Sequence, residues 1–435
     1  MSTANASLAA PLQRYREVFE TRWNRSDALL PLRRAAFDRF LAAGFPTTRN
    51  EEWKYTNLRR LESRAFELAA PAPVSAEIQQ HWFKDGAACL VFVNGHFVPS
   101  LSQVPPLPPG VTLVTLGQWM ERDAEGAAQS LSQTLDQSRT ALDALNAALF
   151  EDGVLIRLSK DAQLDTPIHI VHHWTSAPTA RMAHSRLIVH ADESSRCTLI
   201  EHFTGAEGEN WTNVSASIAV GKSARFEHLR VQEESIRGFH IGRIEANVAE
   251  QGRYACHDIA FGASLARLDL HVKLVGSNST ADLHGLLTPA GTQHIDAHTK
   301  IEHCVPHTQS SEEYRGIAAG RGRGVFNGKV VVHPDAQKTD ARQSSRNLLL
   351  SPTAEIDTKP ELEIYANDVK CSHGATTGQL DPASLFYLRS RGLSEADARA
   401  ALIRAFAGSV LTSISNPTVR EYLESQLQTK LETSR

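Results

Sequence analysis

The chain has 435 residues, enough for a large core and more than one structural unit. Its formal net charge of -4 and pI of about 6.6 give no electrostatic case for binding nucleic acid or an anionic membrane. No apolar run approaches the roughly 20 residues of a membrane helix, and the N-terminal segment lacks the basic start and apolar stretch of a signal peptide, so we expect a cytoplasmic protein.

The first predicted unit, residues 1–75, is a helical region. Apolar residues at three- and four-residue spacing predict helices over Gln13–Trp23 and Leu32–Ala43. Thr48 and Glu51 then have the spacing of a capping box, which predicts a further helix start. The segment ends in a proline-rich stretch that is typical of a boundary.

The second predicted unit, residues 76–152, is a mixed α/β connecting region. The run Ala87–Val98 predicts a β-hairpin that turns at Asn94 and Gly95, because this dipeptide favours the type I′ turn. The segment Leu131–Phe150 is again helical in its pattern. We therefore expect one hairpin and one helix before the core.

Residues 153–380 form the predicted core, in which short alternating runs recur with polar or glycine-containing turns between them. Few helical segments interrupt this region of roughly 200 residues, which is near the upper end for one sandwich or barrel. Repeated strands with short turns favour a solenoid, in which each coil packs on its neighbours. The clearest runs are Ile168–Val171, Leu187–His190, Cys197–Phe203, Phe226–Val231, His240–Val248 and Leu268–Val275.

Residues 381–435 form a predicted C-terminal helical region. Asp381 and Pro382 make a good cap and first helical residue, and Ser394 and Asp397 resemble a capping box. Two amphipathic helices should follow, and they would either cover the end of the solenoid or leave a surface for protein docking. Their apolar stripes are Ala398, Ala401, Leu402, Ala405 and Phe406, then Val419, Leu423, Leu427 and Leu431.

The five cysteines argue against a disulfide framework and against a self-contained four-cysteine metal site. They are odd in number, scattered, and never form a C-x-x-C pair, which fits a reducing compartment. They are Cys89, Cys197, Cys256, Cys304 and Cys371.

Cys371 and His373 are the strongest candidate site residues. They follow a strand-like run, and in an extended chain residues two apart point to the same face. A thiol beside an imidazole suits a soft or borderline metal, sulfur chemistry or proton transfer. The alternative is a half-buried cysteine beside a hydrogen-bonded histidine, with no ligand.

A second group contains His294, His298, His303, Cys304 and His307. As a helix it would place His294 and His298 on one face, where they could bind zinc. Its period of two favours a strand instead, with Ile295, Ala297, Thr299 and Ile301 on one face. The opposite face would then be a polar outer surface or a ladder of hydrogen-bonded imidazoles.

Other chemistries have weaker support. The segment 320–329, GRGRGVFNGK, fails the phosphate-loop pattern and is predicted to be a basic turn before a strand at Val330–Val332. An extracellular β-helix enzyme acting on polysaccharide would need clustered carboxylates, for which Asp335, Asp340 and Asp357 are the available candidates. The missing signal peptide argues against that class.

Several separated strings resemble the SufB/SufD family of iron–sulfur cluster assembly scaffolds. They lie in the same order over most of the chain, which is more specific than any one motif. The strings are TTRNEEWKYTNL, NAALFEDGVLIRL, HCVPHTQSSEEYRGI, GVFNGKVVVHPDAQKTDARQSSRNLLLS and KPELEIYANDVKCSHGATTGQLD followed by LFYLRSRGL.

The resemblance implies a mainly β protein with a right-handed parallel β-helix core between N-terminal and C-terminal helical regions. It implies a non-catalytic scaffold, with a SufB-like paralogue as heterodimer partner and a SufC-like ABC-type ATPase docked on the C-terminal helices. The chain could also form a homodimer when its paralogue is absent. No cofactor would be permanently bound, but Cys371 and His373 would offer a half-site for transient iron or a nascent cluster. Ser372 and Gly374 replace the glutamates that usually flank the histidine in SufB-like chains, so the chain resembles the SufD branch.

Overall fold

The computed structural model describes residues 10–23, 28–73, 88–136 and 140–433. Three predictions fall partly outside these ranges: the boundary between residues 75 and 76, the start of the hairpin at Ala87, and the middle of the Leu131–Phe150 helix at residues 137–139. The helices are α1 Ala10–Arg22, α2 Leu30–Ala43, α3 Arg59–Glu62, α4 Leu116–Arg122, α5 Ala124–Asp136, α6 Ala141–Leu149, α7 Pro382–Ser390, α8 Glu395–Leu411 and α9 Pro417–Thr433.

The first strands are short and the later ones are long and regular. They are β1 Glu67–Leu68, β2 Ala88–Val93, β3 His96–Phe97, β4 Val111–Thr115, β5 Asp152–Leu158, β6 Ile168–Trp174, β7 Arg181–Ala191, β8 Arg196–Gly205, β9 Asn210–Val220, β10 Arg225–Gln232, β11 Phe239–Val248, β12 Arg253–Ala260, β13 Leu265–Leu274, β14 Thr280–Leu287, β15 His294–His303, β16 Gln309–Ala318, β17 Arg323–Val332, β18 Asp340–Leu349, β19 Glu355–Ile364 and β20 Lys370–Gly378.

The strands build a parallel β-solenoid of about 8 turns, which confirms the predicted mainly β fold with flanking helices. From β5 onward, odd strands pair with odd strands in sheet A, and even strands pair with even strands in sheet B. Each coil therefore contributes one strand to each sheet. The connecting region also joins the sheets, because β2 pairs in parallel with β6 and β4 pairs antiparallel with β5.

The main apolar core lies between the two sheets, where alternate residues of strands β4 to β17 point inward. β15 illustrates the rule: Ile295, Ala297 and Ile301 lie in this core, as the predicted strand pattern requires. The hairpin is also confirmed, because Asn94 and Gly95 both have positive φ angles, 53° and 84°, between the antiparallel β2 and β3.

The N-terminal helices cover the outer face of sheet A. Phe37 and Phe40 of α2 and Leu145 of α6 pack in one apolar cluster with Trp211 and Phe239 on the outside of that sheet. Helix α6 is buried along most of its length, because α2 lies over it and sheet A lies beneath it. The N-terminal region is thus tied to the solenoid by its own hydrophobic core.

The C-terminal helices lie along the outer face of sheet B. Val410 of α8 and Leu423 of α9 share an apolar cluster with Ile200, Leu286 and Leu348, which come from β8, β14 and β18. These strands span most of the sheet, so the interpretation of the two helices as an end cap is wrong. The apolar stripe on the outside of sheet B sets their position, because burying it removes apolar surface from water.

Three local predictions need correction. The predicted capping box at Thr48 does not form; instead a 3-10 helix, Glu51–Trp53, follows Asn50, whose side-chain oxygen accepts a hydrogen bond from the Thr47 amide at 2.8 Å. Helix α8 buries Ile403 and Ala407 while Ala405 is exposed, because sheet B meets a face rotated from the predicted stripe.

The third correction concerns the glycine-rich segment before Val330, which was predicted to be a turn. Residues 323–329 of the segment belong to β17, which begins at Arg323, and only residues 320–322 precede the strand. The glycine at position 328 is needed there, because a Cβ atom would lie 2.2 Å from Gln343 Nε2 and 2.6 Å from the Phe326 ring inside the solenoid. Gly328 therefore serves interior packing, whereas Gly320, with a φ of 63°, lies in the turn before β17.

Candidate functional site

Cys371 and His373 both lie on β20, the last strand of sheet B. Because β20 is extended, the two side chains share one face, and their Cα atoms lie about 6.6 Å apart. The strand pairs with β18 on one side, so that Cys371 is opposite Ala341 and His373 is opposite Gln343. The predicted juxtaposition of thiol and imidazole on one strand face is therefore present in the fold.

The two residues differ in exposure. Cys371 is half-buried against the last apolar cluster of the solenoid interior, which includes Val330, Val332 and Ala341. Burial raises the pKa of its thiol, so the sulfur is protonated in the isolated chain. His373 is exposed at the open end of the same face. Metal binding by this pair would need the thiol to lose its proton.

A column of buried polar residues continues inward from His373. Gln343 lies opposite His373 on the preceding coil, and Glu312 lies opposite Gln343 on the coil before that. Gln343 Nε2 donates to Glu312 Oε2 at 2.5 Å, and both side chains are buried. Burial raises the pKa of Glu312 to about 7. No pattern along the sequence records this column, because it is formed by the strand register.

The solenoid interior also carries a larger polar network around Arg230. Its guanidinium donates to Asp258 at 3.1 Å and meets His240 Nε2 at 2.9 Å, while Glu201 and His228 are joined at 2.8 Å. All five side chains are buried. Because each ionic group meets an opposite charge or a hydrogen-bonding ring, this network is a satisfied part of the core rather than an open site.

The EEWKYT string fixes the N-terminal region to sheet A. Trp53 lies under the Arg267 guanidinium, 3.9 Å from ring centroid to Cζ, and Arg267 binds Asp296 at 2.8 Å. Thr56 Oγ1 donates a short hydrogen bond to Asp296 and contacts His294 Nε2 at 2.8 Å. The motif is therefore a latch between the two regions.

The histidines of β15 fall within this latch or inside the solenoid. His298 lies 3.1 Å from Asp296 and 3.6 Å from Glu52, and these carboxylates raise its pKa to about 9 although burial alone would lower it. His303 faces inward and bonds Thr308 and Ser310. The face of His294 and His298 is thus covered by protein, and its imidazoles are hydrogen-bonded or ion-paired as one of the two interpretations predicted.

The acidic residues considered for a carbohydrate enzyme do not come together. Asp340 pairs with Arg342 at the start of β18, and Asp357 pairs with Arg323 across sheet A. Asp335 lies in the turn between β17 and β18. The clustered carboxylates that this class requires are not formed by these three side chains.

No disulfide joins the five cysteines, all of which lie in the described part of the chain. Within those same ranges, one group of three potential metal ligands is close enough to share an ion: Glu302, Cys304 and His333. The sequence pattern identifies Cys304 as a candidate, but not Glu302 two residues before it, nor His333, which comes from the next coil.

None of the helices in the described ranges is long and apolar enough to cross a membrane. The chain matches two family descriptions: "SufBD protein N-terminal region" over residues 12–170 and "SUF system FeS cluster assembly, SufBD core domain" over residues 173–406.

Curated relatives match over similar lengths. An iron–sulfur cluster assembly SufBD family protein of Synechocystis sp. is 34% identical over 398 residues, which cover 89% of this chain and 87% of the relative. The iron–sulfur cluster assembly protein SufD of Escherichia coli is 29% identical over 429 residues, with 97% and 96% covered, and SufD of Bacillus subtilis is 26% identical over 298 residues, with 67% of each chain covered. The chain therefore belongs to the SufB/SufD family of iron–sulfur cluster assembly proteins.

Proposed function

We propose that this chain is a SufD-like scaffold subunit of a cytoplasmic SUF complex, without catalytic activity of its own. It would pair with a SufB-like paralogue and use a SufC-like ABC-type ATPase to drive cluster assembly. Cys371 and His373 would form a half-site that takes iron or a nascent iron–sulfur cluster as cargo. The observation that carries the proposal is the position of this pair on an uncovered terminal coil.

The terminal coil has the features of a protein interface. β19 and β20 end their sheets, so each has one backbone edge that pairs with none of the described strands. Pro360 within β19 is typical of an edge strand, because proline cannot donate to a ladder. β20 contains no proline, and its open edge can accept a strand from another chain.

Exposed apolar side chains concentrate beside this coil. At the end of β19, Ile364 is 41% exposed and Tyr365 is 60% exposed. Large apolar groups clustered on a surface usually mark a contact with another protein. We assign the β20 edge to the SufB-like paralogue, and the same edge would pair with a second copy of this chain when the paralogue is absent.

The chemistry of Cys371 and His373 suits a shared site. Thiolate and imidazole bind iron and iron–sulfur clusters, but such sites normally have four ligands. Two ligands on an open edge can be completed by ligands from the paralogue across the interface. ATP-driven motion of the ATPase pair would then open and close access to this site.

The C-terminal helices supply a separate docking surface. α8 and α9 bury one face on sheet B, whereas Phe386 and Tyr387 on α7 point outward from the described protein. Substituting serine at both positions should weaken co-purification with the SufC-like ATPase at least about tenfold, since aromatic anchors dominate many interfaces. The double variant keeps Leu380, which packs against the sheet B cluster, so the folded structure should be retained. Undiminished ATPase binding by the double variant would refute this assignment of α7.

The half-site is tested by expressing the chain with its SufB-like and SufC-like partners and weighing the complex by native mass spectrometry. We expect His373→Ala and Cys371→Ser to assemble the same complex as the wild type and to lose iron and cluster loading. Ser372→Ala is the matched control, because Ser372 lies between the two residues on the opposite strand face.

Each result of this experiment has a definite meaning. Normal loading by the His373→Ala and Cys371→Ser double variant would refute the half-site and leave a purely structural partner. Failure of the wild type to associate with either partner would refute the scaffold proposal itself. Loss of loading in Ser372→Ala as well would show that the strand, rather than the two ligands, had been damaged.

A further inference from the structure

Glu302, Cys304 and His333 come together at the rim of sheet A. Glu302 is in β15, Cys304 follows that strand, and His333 follows β17 on the next coil. Parallel register places Cys304 beside His333, since the His333 amide donates to the His303 carbonyl at 3.0 Å. Their ligand atoms all lie within 4.8 Å of one another.

The carboxylate of Glu302 is held in a fixed orientation. Its Oε1 atom meets His271 Nε2 at 2.7 Å and Lys300 Nζ at 2.8 Å. Its Oε2 atom is directed to His333 Nε2 at 3.0 Å. One oxygen is thus occupied by two positioning side chains, and the other faces the imidazole, an arrangement in which outer residues orient a metal ligand.

The geometry points to a divalent metal site made by Glu302 Oε2, Cys304 Sγ and His333 Nε2, for an ion of the zinc(II) or iron(II) class. Around a tetrahedral ion, oxygen and nitrogen ligands lie about 3.4 Å apart, and sulfur and nitrogen about 3.6 Å apart. The observed 3.0 Å between Oε2 and Nε2 is a hydrogen-bond distance, about 0.4 Å shorter than the first value, so these two atoms would separate slightly around an ion. The Cys304 sulfur lies within 4.8 Å of the other two ligand atoms and would move closer to them on binding.

The ligand types select the ion. A mixed sulfur, nitrogen and oxygen set favours zinc(II), iron(II) or cobalt(II) over magnesium and calcium, which prefer oxygen alone. On binding, Cys304 would give its thiol proton to solvent and the ion would replace the contact between Glu302 and His333. Three protein ligands leave a fourth position for water, which is the pattern of an exchangeable site.

A polar groove of about 1020 Å³ between the N-terminal segment and sheet A has Glu302 in its wall. Glu302, His271 and Lys300 line it. None of the three is fully buried, and the His333 side chain is 41% exposed, so an ion can reach the site in the folded protein. The site uses neither Cys371 nor His373, and it does not depend on the proposed function.

Cobalt(II) binding to the untagged full-length chain tests the site, because a thiolate–cobalt bond gives a charge-transfer absorption that carboxylates and imidazoles do not. We expect one cobalt(II) per chain with this absorption and its displacement by zinc(II). Cys304→Ser should abolish the absorption. His333→Ala removes a ligand and should weaken cobalt(II) binding at least about tenfold, which is the smallest loss typical even for an outer-shell partner. Cys371→Ser is the matched control and should keep both absorption and stoichiometry.

Two outcomes would overturn the inference. The wild-type chain could take up no stoichiometric cobalt(II), which would leave the cluster as a surface ion-pair network around Glu302. Alternatively, Cys304→Ser could keep the absorption while Cys371→Ser lost it, which would place the thiolate at the terminal coil. Far-ultraviolet circular dichroism of each variant shows whether the solenoid is intact. His271→Gln is a second and weaker test of the metal site, because it alters a residue that positions Glu302 and leaves all three ligands in place.

Discussion

Replacing Glu312 with glutamine should remove a large part of the pH dependence of stability. Glu312 is enclosed between the sheets, where Gln343 donates a hydrogen bond to one carboxylate oxygen. Burial raises its pKa from the ordinary 4.5 to about 7, against smaller opposing effects of Thr299 and Gln343. Between about pH 4.5 and pH 7, the folded protein therefore holds a proton on Glu312 that the unfolded chain releases.

The sign and size follow from this difference. A raised carboxyl pKa contributes stability that is fully present below the unfolded value, 4.5, and is lost as the pH rises through about 7. The full difference corresponds to about 3 kcal/mol, of which about 2.5 kcal/mol falls between pH 5 and pH 8. Glutamine is neutral throughout, so Glu312→Gln should gain that amount relative to the wild type over this range.

Urea denaturation of both proteins at about pH 5, 6, 7 and 8 measures the effect. The exposed Glu421→Gln variant is the control, and its difference from the wild type should stay constant across the range. If the stability difference between Glu312→Gln and the wild type changes by less than about 0.5 kcal/mol from pH 5 to pH 8, Glu312 is not held protonated and the reasoning is refuted.

Three further changes probe the contacts that join the helices to the solenoid. Trp53→Ala should cost about 3–5 kcal/mol and raise protease cleavage within residues 28–73, because it removes the ring beneath Arg267; unchanged cleavage would contradict the latch. Leu423→Ala on α9 should cost about 2–5 kcal/mol in urea denaturation, whereas the exposed Glu424→Ala should cost much less. The stability advantage of the wild type over His298→Gln should be largest below pH 6.5 and shrink as the pH rises through about 9, and a constant difference would show that His298 is not held as a cation.

Local pattern predicted most of the secondary structure. The alternation in β15 correctly placed Ile295 and Ile301 on one face, and the Asn94–Gly95 dipeptide correctly predicted the hairpin turn. The cap at Asp381 is also confirmed, with its side chain accepting from two backbone amides at the start of α7. These features depend on neighbours in sequence, so the sequence alone carries them.

Predictions failed where the answer depends on which surfaces meet. Thr48 and Glu51 have capping-box spacing, but the side chain of Asn50 organises the turn before the 3-10 helix instead. The apolar stripes of α8 and α9 were visible, yet both an end cap and a lateral position would bury them equally well. The apolar outer face of sheet B decided the position, and that face exists only after the coils are stacked.

The sequence by itself determined the family, the strand and helix pattern, and the placement of Cys371 and His373 two residues apart on one strand face. Only the tertiary structure decided that this strand ends the solenoid, that Gln343 and Glu312 stack behind His373, and that Glu302 and Cys304 meet His333. The physical reason is the coil itself: residues about thirty positions apart become neighbours through parallel register, and no local periodicity records which of them will share a column.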